Sequence, residues 1–281
     1  MEKCKFCNDK EAIKNSHIIP YFITKWVKDT SPTGFIRATN EPNIRQQDSE
    51  KSPLLCIDCE NDFSKYEDIF KKQIFSKIAN YRKPCPDSLS ISNSAKKCIY
   101  SIAWRVLANT YYFPKENQYT EEEFNKFPEF LDEIKESMKD ISNSKFKSYL
   151  IPCTKEVITR INLPKVEWFF YDRATGAEPR IWNDWYRFII FIKIPFAIIV
   201  FEMVSNDEDI WKGCNIEEST TIELPNISAV PDYVGEQVKY FFDNFLKSRE
   251  KITEKQNALI KEDMKKSNPN CGFLKTMKKK W

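Results

Sequence analysis

Two cysteine pairs of identical spacing, Cys4-Lys5-Phe6-Cys7 and Cys56-Ile57-Asp58-Cys59, restrict what this chain can fold into more than any other feature. A two-residue spacer lets both sulfurs of a knuckle turn toward one ion, and two knuckles complete a tetrahedral four-cysteine zinc site. A lone CxxC arises by chance or as a redox pair. Two in one short segment, with no thioredoxin-like βαβ pattern around them, point to structural zinc held by Cys4, Cys7, Cys56 and Cys59. The alternative, buried free cysteines, is common in cores but gives no reason for two equal spacings. A site closed by four protein ligands staples the chain and does not catalyse. Cys85, Cys98, Cys153, Cys214 and Cys271 are scattered singly and read as structural.

The chain has 281 residues, longer than one average domain, so two domains are expected. Hydrophobic residues make up 41% and aromatics 14%, enough apolar surface for a core and too much for a disordered chain. Lys and Arg number 44 against 41 Asp and Glu, a net charge of +3, so a nucleic-acid surface has to be a local patch. The opening Met1-Glu2-Lys3-Cys4 lacks an apolar signal region, and the expected compartment is the cytoplasm. The most apolar run, Phe188 to Phe201, contains Lys193 and Pro195 and is shorter than the roughly 20 residues of a membrane span. It reads as a buried strand pair, and no membrane partner is expected. Only 5 glycines occur, none in a GxGxxG or P-loop pattern, which excludes a nucleotide-binding loop.

The expected fold class is α+β, divided into residues 1–83 and 84–281. The first part is loop-rich up to the second knuckle. From Asn61 to Tyr81, Phe63, Tyr66, Ile69, Phe70, Ile74, Phe75 and Ile78 then recur at helical spacing. Lys83-Pro84-Cys85-Pro86-Asp87-Ser88 is a breaker cluster and the expected boundary. Beyond it, Asn93 or Ser94 caps a helix that ends near Pro114, and Thr120 with Glu123 forms a capping box for another. Val157–Leu163, Val166–Tyr171, Arg187–Ile192 and Phe196–Val204 read as strands of an antiparallel sheet, with turns at Thr175-Gly176 and Asn206-Asp207. After Pro231, apolar residues from Val234 to Leu259 predict one long terminal helix, followed by a basic tail with Lys275, Lys278, Lys279 and Lys280.

Between the knuckles lies Ser16-His17-Ile18-Ile19-Pro20. In zinc-bearing HNH nucleases a CxxC is followed by Asp-His-Ile-x-Pro, then by a second CxxC that opens the metal-binding helix. Residues 1 to about 75 resemble that order, with Leu54-Leu55-Cys56-x-x-Cys59 leading into the helix. The resemblance implies a zinc-stapled ββα-metal module in which His17, the only histidine in the chain, is the general base. An imidazole suits that task because it titrates near neutrality. The implied reaction is phosphodiester hydrolysis assisted by magnesium or manganese. Glu60, Ser64 and Glu67 share one face of the helix at i, i+4 and i+7. Glu60 stands where the family carries Asn or His as a ligand, so it is the first metal ligand to consider and Glu67 the second. The family's metal-binding Asp is replaced here by Ser16, a poorer ligand, and Glu60 can supply the missing charge. Residues 18–55, with Trp26, Arg37 and Arg45, form a long insertion between base and helix.

Candidate nucleic-acid contacts are Lys14, Lys25, Arg37 and Arg45, with Lys3, Lys5, Lys10 and Lys28 nearby and Phe6, Tyr21, Phe22 and Trp26 interleaved. Cations neutralise phosphates and aromatics stack on unpaired bases, though the same residues also make a solvated surface over an aromatic core. Trp104-Arg105 and the run from Trp182 to Arg187 carry the same two meanings. Two functions follow from the sequence. One is a metal-dependent endonuclease acting on nucleic acid, DNA favoured, in a setting such as phage defence or mobile elements. Its C-terminal domain would contact a protein partner or a second copy. The other is a degenerate scaffold, stripped of its catalytic metal by Ser16, that serves as a zinc-stabilised binding module.

Overall fold

The computed structural model describes residues 2–80, 82–115, 118–182, 185–268 and 272–274. The basic tail residues Lys275, Lys278, Lys279 and Lys280 lie outside the described residues, as do Tyr81, Asn183, Asp184 and Cys271. The class is α+β with antiparallel sheets. Among the described residues no helix is long and apolar enough to cross a membrane.

The N-terminal segment makes a short strand, β1 (Ser16–His17), and then helix α1 (Tyr21–Asp29), which begins directly after Pro20. A loop leads to β2 (Lys51–Ser52), which pairs antiparallel with β1 so that Ser16 faces Ser52 and His17 faces Lys51. Helix α2 (Ile57–Phe70) follows, with Cys56 at its N-cap; it starts within the second knuckle, ahead of the expected Asn61. It continues through a π-helical turn, Lys71–Phe75, into the short α3 (Ser76–Ile78). Strand β3 (Ser88–Ser90) comes next. The expected boundary falls between α3 and β3, yet the buried residues on both sides of it belong to one cluster running from Cys4 to Phe242.

That continuity comes from helix α4 (Asn93–Tyr112), buried along most of its length and packed against α2, against α5 (Glu121–Lys139) and against the main sheet. Ser92 caps it by accepting from Ala95 N at 3.3 Å, one residue before the expected cap. Thr120 and Glu123 form the expected capping box on α5.

The main sheet comprises β4 (Lys147–Pro152), β5 (Gly176–Trp182), β6 (Arg187–Ile194) and β7 (Ala197–Val204), in the order β4-β7-β6-β5, all antiparallel. The two prolines within it, Pro152 and Pro179, lie on the edge strands, where a missing N–H costs no ladder bond. The apolar run Phe188 to Phe201 is the buried β6–β7 pair that the sequence predicts.

Three expectations are corrected. Residues within Val157–Leu163 and Val166–Tyr171 are helical, in α6 (Lys155–Arg160) and α7 (Trp168–Tyr171), not strands. Thr154 starts α6 by accepting from Val157 N at 3.2 Å, and this local cap overrides the strand preference of Val157 and Ile158. Gly176 opens β5 instead of making a turn. After β8 (Thr221–Glu223), which pairs with β3, the terminal helix is two helices, α8 (Asp232–Glu250) and α9 (Glu254–Lys266). Thr253 caps α9, and the Asn43 side chain fills the break, donating to Lys251 O at 2.9 Å and accepting from Thr253 N at 2.8 Å.

Candidate functional site

The two knuckles meet because residues 54–55, just ahead of the second, pair with the chain around the first. Lys5 N donates to Leu54 O and Ile13 N to Leu55 O, each at 2.7 Å. The sulfurs of Cys4, Cys7, Cys56 and Cys59 then lie within 4.8 Å of one another. Cys4 to Cys59 and Cys7 to Cys56 are each 3.8 Å apart. Zinc–thiolate bonds of about 2.3 Å in a tetrahedron require sulfurs about 3.8 Å apart, so the cluster can hold a metal ion of that kind. Burial raises the Cys4 and Cys59 thiols. Burial also pushes Cys7 up, but the backbone N–H groups of Lys10 and Asp9, with the neighbouring thiols, outweigh it and bring Cys7 down to about 7.

His17 presents its ring from β1. Its Nε2 lies 3.0 Å from Asp48 Oδ1 and 3.1 Å from Oδ2. A carboxylate can only accept, so Nε2 donates and the neutral ring keeps its lone pair on Nδ1. Asp48 also binds Lys51 Nζ at 2.6 Å and accepts from Ser49 N at 2.9 Å. Partial burial raises the Asp48 carboxyl, but Lys51 and His17 outweigh it, so its pKa lies below the ordinary value. The Tyr21 ring sits 5.1 Å from the imidazole. The result is a partly exposed histidine with a fixed tautomer and a charged partner, the usual setting of a general base.

The other expected ligands are placed less uniformly. Ser16 is fully buried, and its Oγ accepts from Leu55 N at 3.1 Å, bracing the approach to the second knuckle. Glu67 pairs with Arg105, whose Nη2 donates to Glu67 Oε1 at 2.5 Å and whose Nη1 donates to His17 O at 2.9 Å. Glu60 keeps one buried carboxylate oxygen without a hydrogen-bond partner. Ser64 is exposed and its Oγ donates to Asn61 O at 2.9 Å.

The basic residues divide. Lys14 and Lys25 are exposed, Lys25 beside Asp29 at 2.6 Å. Arg45 instead pairs with Asp263 of α9 at 2.9 Å and stacks on Phe35, and Arg37 is partly buried, donating to Pro42 O at 3.5 Å. Burial, with Arg45 nearby, lowers the pKa of Arg37. Phe6, Phe22 and Trp26 pack inward, Phe6 against Phe63 and Trp104, the other two against Phe75. Trp104 and Arg105 are each 1% exposed, so that pair is core and not a binding surface.

Sequence reasoning missed Asp48 and the placement of Arg105. The signal for Asp48 was the strand pairing: a strand just ahead of Leu54-Leu55-Cys56 that faces His17 brings the acids at 48 and 50 to its neighbourhood. Arg105 has no such signal, because its partners lie in two other elements. Compared with known proteins, the chain matches no family model, no curated protein and no solved structure.

Proposed function

We propose that the chain is a metal-dependent HNH-like endonuclease, with DNA the favoured substrate, His17 the general base and zinc on the four cysteines. The His17–Asp48 pair carries this function. His17 lies on β1 and Asp48 in the loop just ahead of its partner β2, which is followed by the knuckle and helix α2, the order that the family resemblance implies. In the reaction, Nδ1 of His17 takes a proton from a water whose oxygen attacks the phosphorus, and the bond from phosphorus to the leaving oxygen breaks. Asp48 holds the ring in the productive tautomer and stabilises the imidazolium that forms. Glu60, whose orphaned oxygen fits a hard cation, would hold the magnesium or manganese, which would supply charge stabilisation at the phosphate and the leaving oxygen.

A second function, a zinc-stabilised binding module, is favoured by one observation. Of the three expected catalytic-metal ligands, Ser16 and Glu67 are both engaged within the protein. Incubation of the zinc-loaded chain with supercoiled DNA, with and without magnesium or manganese, separates the two. The nuclease nicks DNA only with the divalent ion added, and Glu60→Ala suppresses the nicking while leaving zinc bound. A chain that binds DNA but leaves it intact under every divalent condition is the binding module.

A further inference from the structure

Helix α4 lies in the core, yet one row along it is polar: Ser101, Arg105 and Asn109 at i, i+4 and i+8. Arg105 is 1% exposed, with its guanidinium against the Phe63 ring at 5.2 Å. Its two terminal nitrogens reach two different elements, His17 O on β1 at 2.9 Å and Glu67 on α2 at 2.5 Å, and Ser101 Oγ accepts from Nη2 at 3.3 Å. One turn further on, Asn109 Oδ1 accepts from Ser52 Oγ on β2 at 2.5 Å, and its Nδ2 donates to Glu50 Oε1 at 2.9 Å.

We propose that this row is a positioning device that sets the His17 strand against α2, with Arg105 the positioning residue for His17. The strand pair is only two residues per strand, too short to hold its own register. Asp48 fixes how the ring is turned, whereas the bond from Arg105 to the carbonyl of His17 fixes where the residue itself stands. A buried ion pair is a poor source of stability, and apolar residues of similar size would serve a core as well. What a guanidinium adds is two N–H directions in a rigid fork, which a lysine lacks. The kinetic consequence rests on the nuclease function proposed above; the structural one does not.

Three full-length variants test the device. Glu67→Gln keeps the bond to His17 O. Arg105→Lys keeps a positive charge beside Glu67 but has no fork. Arg105→Met combined with Glu67→Leu replaces the buried pair by apolar side chains, which guards against misfolding from an unpaired charge. With supercoiled DNA and manganese, kcat is expected to fall about 100-fold at unchanged KM in the second and third. A wild-type kcat in the double variant, or a loss carried by KM, overturns the proposal. A second readout is independent of cutting: His17 is the only histidine, so one set of imidazole resonances reports on it by NMR. These resonances are expected to shift when the fork is removed and to hold still in Glu67→Gln. Unmoved resonances in the double variant overturn the device. Shifted resonances in a chain whose wild type never cuts uphold the device and defeat the nuclease function instead.

Discussion

His17 and Asp48 are 31 residues apart in sequence and 3.0 Å apart in space. The cysteine cluster was legible because its spacing encodes the ligand geometry locally, and the sequence singles out His17 because it sits in a compact motif between them. The Asp48 contact was not legible, since it exists only once β1 and β2 pair. Residue type suggests a ligand or a phosphate contact for Ser16 and Arg45, and it does not reveal that the fold gives each an internal partner, Leu55 N and Asp263. The Asp48 site has a measurable pH signature. Folding lowers this carboxyl from its ordinary 3.8, since Lys51 and His17 favour the charged form by more than burial opposes it. The stability this confers is fully present above that ordinary value and is lost as pH falls through the lowered one. Asp48→Asn should therefore reduce the thermal midpoint near neutrality, and the gap from wild type should close as the pH drops below about 4. A gap that is constant with pH would mean that the charge on Asp48 contributes nothing.

Caps and long periodic runs were the legible elements. The capping box at Thr120 follows from nearest-neighbour chemistry that operates before any packing, and the helix at the second knuckle from its apolar period. The short run at 157–163 was not, because Val157 and Ile158 suit a strand or a buried helical turn equally well, and the Thr154 hydroxyl decides between them. The break between α8 and α9 was hidden in the same way, since apolar spacing continues across it while Thr253 and Asn43 supply the stop and restart. Helix α9 has no buried residue, so its start depends on that cap more than the core helices depend on theirs. Thr253→Ala should cost about 1 kcal/mol locally and speed amide exchange in α9, leaving α4 unchanged. Equal acceleration in both helices would show that α9 unfolds only with the whole chain.

Across the whole molecule, the zinc-type cluster, the histidine strand and α2 form the first part of the sequence, but α4 completes their core. Trp104 packs against Phe6 and Phe63, and Arg105 joins β1 to α2. The breaker cluster at 83–88 lies in irregular chain leading into β3, and the buried core continues on both sides of it through contacts no local pattern carries. Residues 1–83 expressed alone should thus bind zinc without reaching the stability of the full chain, losing the several kcal/mol that burial of Phe6 and Phe63 under α4 contributes. A separate, equally stable melting unit would contradict that. The functional proposal stands or falls on His17. The measurement to make is the rate of DNA cleavage by zinc-loaded His17→Ala beside wild type in manganese. Loss of a general base should slow it roughly 10²- to 10⁴-fold with zinc content unchanged; cleavage at the wild-type rate would contradict the assignment outright.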